Sequence, residues 1–147
     1  MKEDGCLENK ISLQEHLLVY ALIIITGALG LLDWFMLRDM ILALLSSSSL
    51  DPWSWGAIDK ICFIILGIMW LILIFVSAHC YEKGVVRKKL WRYFSFITGI
   101  ELIILFVTHV IPIIVGQAHY SVLLTILEAV GGTACIIGSF YIKSPSF

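Results

Sequence analysis

Charged residues are scarce in this chain: they make up 14% of it, whereas hydrophobic residues make up 60%. The mean hydropathy is strongly positive. A typical soluble domain has about 25% charged residues, because its surface is in contact with water. The composition therefore excludes an ordinary soluble domain and predicts an integral membrane protein.

Cysteine is also sparse and is not arranged in pairs. The four cysteines, Cys6, Cys62, Cys80 and Cys135, form no C-x-x-C motif. This spacing argues against a disulfide framework, a thiol redox site and a zinc site. The sequence likewise has no glycine-rich phosphate loop and no nucleophile elbow. We therefore expect a protein that is not an enzyme and that carries neither a cofactor nor a structural metal.

Long apolar runs are what the sequence does contain. A helix needs about 20 apolar residues to cross a hydrocarbon core of about 30 Å. Four stretches meet this length: residues 17–36, 61–80, 93–115 and 120–142. They leave no segment long enough for a soluble domain. Residues 1–147 are therefore predicted to form a single membrane domain, an all-α antiparallel bundle of four transmembrane helices.

Basic residues are distributed unevenly between the connections. The connection between the second and third spans carries five of them: Lys83, Arg87, Lys88, Lys89 and Arg92. The connection between the third and fourth spans, residues 116–119, has none. Basic connections stay on the cytoplasmic side of a membrane. Both termini, which carry Lys2, Lys10 and Lys143, are therefore predicted to be cytoplasmic, in a multi-pass protein of the cell (inner) membrane.

Local signals mark the ends of the first two helices. Asp33 falls near the outer end of the first span, so we place it at the membrane interface. The apolar run at residues 40–45 is too short to cross and indicates a helix extension or an interfacial piece. The serines at 46–49 end it. Asp51 followed by Pro52 is a typical helix start, because proline suits the first helical position.

Polar and small residues form one stripe along each of the last two spans. The stripe of the fourth span is Ser121, Thr125, Glu128, Gly132, Cys135 and Ser139. That of the third span is Phe94, Thr98, Glu101, Leu105, Thr108 and Pro112. Steps of three and four keep residues on one helix face, and in lipid such faces are where helices meet. We expect an interhelical polar or ion-binding site made of two glutamates and three threonines: Glu101, Glu128, Thr98, Thr108 and Thr125.

The two glutamates lie at similar depth, each about 13 Å from one end of its span. An ionisable group at the bilayer centre costs about 2.5–3.5 kcal/mol on insertion scales, so it usually faces a partner, a cavity or an ion path. If the stripes face each other, we expect at least one of Glu101 and Glu128 to be protonated at pH 7. Three interpretations are open: a hydrogen-bonded pair that joins helices or subunits, a proton or cation site, and pairing with another subunit.

The four histidines fall into two pairs by depth. His16 and His79 lie toward the cytoplasmic face, and His109 and His119 lie toward the outer face. Bis-histidine haem sites are therefore geometrically conceivable. A histidine at the wet end of a span needs no ligand, however, and no motif supports either pair. A b-type cytochrome subunit is the third interpretation of the chain.

The second half of the chain has the features of a known family. Arg92, Tyr93 and Phe94 open the third span, His109 falls late in it, the outer hairpin is short and the fourth span has a polar end. Together with the four-span plan and the length, these features resemble the small phosphate-starvation-inducible PsiE-type membrane proteins. The resemblance implies a bacterial or archaeal multi-pass membrane protein, and it implies no particular activity.

Four short spans with few residues outside the membrane favour a non-enzymatic accessory or interaction subunit. Such a subunit works as a homo-oligomer or within a larger membrane complex. The alternative is a proton- or cation-coupled carrier or channel that uses Glu101 and Glu128. The expected partners are the lipid bilayer, other subunits, and anionic lipid at Arg87, Lys88 and Lys89. Nothing in the sequence points to nucleic acid.

Overall fold

The computed structural model describes residues 13–48, 51–116 and 121–142. They form four α-helices: α1 at Leu13–Ser46, α2 at Pro52–Val86, α3 at Leu90–Ile114 and α4 at Val122–Tyr141. Each helix is long and apolar enough to cross a membrane. These described ranges contain no strand. The prediction of an all-α fold with four helices long and apolar enough to cross a membrane is therefore confirmed.

The first helix continues through the charged residues that follow its predicted span. The guanidinium of Arg38 donates from Nε and Nη2 to the two carboxylate oxygens of Asp59 in α2, at 2.8 and 2.9 Å. This two-pronged pairing compensates the charge of Arg38. The run at residues 40–45 is therefore a helix extension, one of the two alternatives that the sequence left open. With 34 residues, α1 is about 50 Å long.

The second helix begins where Asp51 and Pro52 predict it. Asp51 is the N-cap, and its Oδ1 accepts a hydrogen bond from the backbone N–H of Trp53 at 3.3 Å. Pro52 follows in the first turn, where the helix needs no amide donor. The helix therefore starts well before residue 61, the predicted beginning of the second span.

The connection between α2 and α3 is a tight turn centred on Lys88, whose φ is 53°. The amide of Lys89 donates to the carbonyl of Gly84 at 2.7 Å, which closes the end of α2 around a left-handed residue. A Cβ at Gly84 would stand 3.0 Å from Cα of Leu90. Glycine at this position therefore lets α3 start directly beside α2. The turn leaves the side chains of Arg87 and Lys88 exposed.

The first three helices pack together around buried polar and apolar contacts. The hydroxyl groups of Thr26 and Tyr81 share a buried hydrogen bond of 2.7 Å. The indole N–H of Trp70 donates to the carbonyl of Gly27 at 3.0 Å. Apolar residues surround fully buried Tyr81: Val19, Leu22 and Leu90. These contacts fix the rotation of α1 relative to α2.

The fourth helix packs on α3 and on no other helix of the described part of the chain. A Cβ at Gly99 of α3 would stand 3.0 Å from the carbonyl oxygen of Gly132 in α4, and a Cβ at Gly132 would stand 3.2 Å from that of Gly99. Ser95 donates to the carbonyl of Cys135 at 2.8 Å. Small residues thus let the two backbones approach closely. This contact decides which face of α3 is turned toward α4.

Candidate functional site

Glu101 is fully buried in the middle of α3 although it carries a carboxyl group. It lies two residues after Gly99, which is about 200° around the helix. Its side chain therefore points away from α4 and toward α1. There it meets Gly30, where an added Cβ would stand 3.3 Å from Oε1 of Glu101. The absence of a side chain at Gly30 makes room for the carboxyl group.

Neither oxygen of the Glu101 carboxyl group has a hydrogen-bond partner among the described residues. The hydroxyl of Thr98, on the same stripe of α3, is also buried and unpartnered in this part of the chain. An isolated carboxylate is very costly away from water, so such a group is normally neutral or paired with a cation. The surroundings of Glu101 are those of a group that takes up a proton or a cation.

Asp33 of α1 is the second acid of the site. It lies three residues after Gly30 and so on nearly the same helix face. It is 4% exposed, and within the described residues neither of its oxygens has a hydrogen-bond partner. Its charge interacts with those of Glu101 and Glu128. Asp33 therefore lies within electrostatic range of one acid of α3 and one acid of α4.

The sequence interpretation missed Asp33 as a member of this site. The predicted first span ended at residue 36, which put Asp33 near the end of its helix and hence at the membrane interface. Because α1 extends to Ser46, Asp33 is close to the middle of the helix, where it is buried against the other helices. One signal was available: Gly27, Gly30 and Asp33 recur every three residues, which sets an acid in line with two small residues.

Glu128 of α4 pairs with His109 of α3. Oε2 of Glu128 and Nδ1 of His109 are 2.8 Å apart, and the two side chains are 11% and 6% exposed. A neutral imidazole that donates through Nδ1 satisfies this geometry, and so does an imidazolium. His109 lies ten residues after Gly99 and fourteen after Ser95, which places all three on the α4-facing side of α3. The sequence contains this spacing, but His109 was considered there only as a haem ligand and not as a partner of Glu128.

The two glutamates face different neighbours. The stripe of α4 contacts α3 through Glu128 and Gly132, as the sequence pattern suggested. The stripe of α3 that contains Glu101 is turned toward α1 instead. Among the described residues no hydrogen bond joins Glu101 to Glu128, since the oxygens of Glu101 have no partner there. Asp33 is the acid whose charge acts on Glu101.

Two of the three predicted threonines bond within their own helices. The hydroxyl of Thr108 donates to the carbonyl of Leu105 at 2.7 Å, and that of Thr125 donates to the carbonyl of Ser121 at 3.2 Å. These bonds satisfy the hydroxyl groups locally and do not link helices. Of the three, Thr98 is the one whose buried hydroxyl has no such bond in the described residues.

A cavity of about 90 Å³ lies beside Asp33, between α1, α2 and α3. Its walls include Trp34 and Trp70, whose ring centroids are 6.3 Å apart, and Ile104. The volume equals that of about three water molecules in the liquid. Asp33 therefore borders a small space whose other walls are mostly apolar, and its own carboxyl oxygens are buried.

The described histidines are not part of a larger cluster of metal-binding side chains. The described part of the chain has no group of three or more histidine, cysteine, aspartate or glutamate residues able to hold a metal ion. His16 and His79 are exposed, and the cavity beside His16 has a volume of about 30 Å³. This is about the volume of one water molecule. His119 lies outside the described residues.

Comparisons with protein-family models, with curated proteins and with solved structures find no match to this chain. Its function is therefore inferred from the geometry of the buried acids.

Proposed function

We propose that this chain is a non-enzymatic multi-pass membrane protein that binds protons at Glu101 and works as a proton- or cation-coupled carrier or channel. One observation carries the proposal: the carboxyl group of Glu101 is fully buried and has no hydrogen-bond partner among the described residues. Acids in such positions within membrane helices commonly mark proton or ion paths.

A role for Glu101 in joining helices receives less support from its surroundings. A joining residue accepts hydrogen bonds across a helix contact. The polar contacts between helices in the described part of the chain involve other residues: Thr26 with Tyr81, Trp70 with Gly27, Ser95 with Cys135, Arg38 with Asp59, and His109 with Glu128. Pairing with another subunit requires an accessible side chain, whereas Glu101 is 0% exposed.

Asp33 and the pair of Glu128 with His109 extend the proposed proton site across the bundle. Asp33 interacts electrostatically with both glutamates and borders the cavity of about 90 Å³. Carboxyl groups and imidazoles in mutual reach are the groups from which proton relays are built. In this proposal Glu101 binds the proton and Asp33 shares the proton or cation with it. Glu128 and His109 connect the site to α4.

The proposed arrangement is an antiparallel four-helix bundle in the cell (inner) membrane. The basic turn between α2 and α3 supports a cytoplasmic position for this turn and for both termini. Lys2, Lys10 and Lys143, which support the same side, lie outside the described residues. So does most of the connection at residues 116–119. The resemblance to PsiE-type proteins agrees with the cell membrane of a bacterium or archaeon.

A second candidate is an accessory or interaction subunit of a larger membrane assembly, including a homo-oligomer. The exposure of α2 favours it: 6% of its most apolar stretch is buried, against 33% for α3. Lipid covers such a helix in a monomer, and a neighbouring helix covers it in an assembly. Under this proposal α2 carries the subunit contact.

Flux measurements in liposomes test the proton site. We expect the reconstituted protein to dissipate an imposed pH gradient, and we expect Glu101→Gln to abolish this flux, because the amide keeps the shape of the side chain but cannot bind the proton. Glu82→Gln is the control, since Glu82 is an exposed acid of α2. Equal flux in the Glu101→Gln protein would overturn the role of Glu101. A wild-type protein that assembles but conducts nothing would favour the subunit candidate.

A further inference from the structure

A groove lies between the first turns of α3 and the last turn of α4. Its volume is about 380 Å³, and it is lined by six residues: Lys89, Arg92, Tyr93, Phe96, Ser139 and Phe140. This volume is within the range of small-molecule sites, which is about 300–1,000 Å³. The groove lies at the end of the bundle that carries the basic turn and is separate from the buried acids.

The charge of this groove is positive and uncompensated. Lys89 and Arg92 line it, and none of its lining residues is acidic. In the described ranges neither cation takes part in an ion pair, since the ion pairs there are those of Arg38 and His109. The partially positive N-terminal end of α3 and the partially negative C-terminal end of α4 both lie at the groove and oppose each other, so its charge is set by the two cationic side chains. The groove therefore favours a negatively charged group.

Two exposed phenylalanines give the groove an apolar side. Phe96 is 41% exposed and Phe140 is 67% exposed. Phe96 lies one turn after Arg92 on the same face of α3. Phe140 is in α4, directly after Ser139. The groove thus has a cationic end, an exposed ring one helical turn farther into α3 and a second exposed ring at the end of α4. This combination matches a molecule with an anionic head and an apolar body.

We propose that this groove binds the phosphodiester of an anionic phospholipid, with Lys89 and Arg92 at the phosphate and Phe96 and Phe140 against the acyl chain. Basic pockets between membrane helices are known to take such headgroups. The apolar wall favours a lipid over free phosphate, which offers nothing to pack against aromatic rings. The site is independent of proton transfer at Glu101.

A neighbouring groove provides a matched comparison. It has a volume of about 360 Å³ and includes Lys88 from the same basic turn. It also includes the acid Glu15, so its lining carries charges of both signs. Removing Arg87 and Lys88 changes the net charge of the chain as much as removing Lys89 and Arg92 does. Only the second pair lines the proposed lipid site.

Native mass spectrometry of the full chain, purified in neutral detergent and titrated with phosphatidylglycerol, tests the proposal. We expect the double variant of Lys89→Gln and Arg92→Gln to bind this lipid about 30-fold more weakly. The double variant of Arg87→Gln and Lys88→Gln is expected to retain binding within about threefold. An equal loss in both would show that overall charge attracts the lipid and would overturn the site.

Four further measurements separate lipid from other anions and folding from binding. Phosphatidylcholine and glycerol phosphate are expected to bind weakly, the first because it is zwitterionic and the second because it has no acyl chain. Glycerol phosphate binding as tight as that of the lipid would overturn the lipid assignment. Phe140→Ala should weaken lipid binding. The double variant of Lys89→Arg and Arg92→Lys keeps both charges and should retain lipid binding. Loss of binding in this variant, if it is folded, would count against the site.

Discussion

Gly30 of α1 and Glu101 of α3 share one space: a Cβ at Gly30 would stand 3.3 Å from Oε1 of Glu101. The same Cβ would stand 3.2 Å from side-chain atoms of Trp70 and Leu73 in α2. Glycine at position 30 therefore lets three helices close around a buried carboxyl group. A substitution at Gly30 perturbs this acid without removing it.

Gly30→Ala tests the space around the acid. We expect it to lower the free energy of unfolding by about 1–3 kcal/mol and to reduce proton flux, because Trp70, Leu73 or Glu101 must shift by a few tenths of an ångström. Unfolding in mixed micelles of increasing SDS content, followed by circular dichroism, measures the first effect. The liposome assay measures the second.

Gly27→Ala is the matched control on the same helix. A Cβ there would stand 3.8 Å from Ile74, which is an ordinary contact. We expect little destabilisation and unchanged flux, since alanine is also the better helix former. Equal losses in the two alanine variants would show that Gly30 has no special relation to Glu101.

Gly132→Ala tests the contact between α3 and α4. The new Cβ would stand 2.9 Å from the side chain of Ile103 and 3.2 Å from the carbonyl oxygen of Gly99, so the helices must separate. We expect a loss of about 1–3 kcal/mol in the free energy of unfolding. The neighbouring Gly131→Ala should be nearly neutral, because its Cβ would stand 3.6 Å from Leu102. A larger loss for Gly131→Ala in the same SDS titration would contradict the described contact.

A double-mutant cycle measures the pairing of Glu128 with His109. We expect Glu128→Ala and His109→Ala to be coupled by about 0.6–1.7 kcal/mol, the range for polar pairs between membrane helices. The contact distance of 2.8 Å and the burial of both side chains favour this coupling. Ser95→Ala combined with Glu128→Ala is the control cycle, since Ser95 bonds Cys135 instead. Its effects should add within about 0.5 kcal/mol. Additive effects of Glu128→Ala and His109→Ala would mean that their pairing contributes nothing to the free energy of unfolding.

The number of helices could be predicted from the sequence because the thickness of a bilayer sets the length of an apolar run. The start of α2 could be predicted as well, since Asp51 and Pro52 act locally. The end of α1 could not. The apolar run of the first span ends before Arg38. The helix continues beyond it, because Asp59, which is 21 positions away in the chain, pairs with Arg38. A local pattern does not reveal such a partner.

The acids of the site could be identified from the sequence, but not their neighbours. Hydropathy fixes the depth of Glu101 and Glu128, and a stripe shows which residues share a face. Neither fixes the rotation of one helix relative to another. That rotation follows from the close approach of Gly99 and Gly132, which turns Glu101 away from α4. Asp33 was missed for a related reason, because its depth depends on where α1 ends.

Infrared spectroscopy of the protein in lipid, recorded as a function of pH, tests proton binding at Glu101 most directly. If Glu101 carries a proton near neutral pH, we expect the spectrum to contain the carbonyl band of a protonated carboxylic acid. The band should disappear in Glu101→Gln and remain in Glu82→Gln. A wild-type protein without such a band, or a band that is unchanged in Glu101→Gln, would contradict proton binding at Glu101.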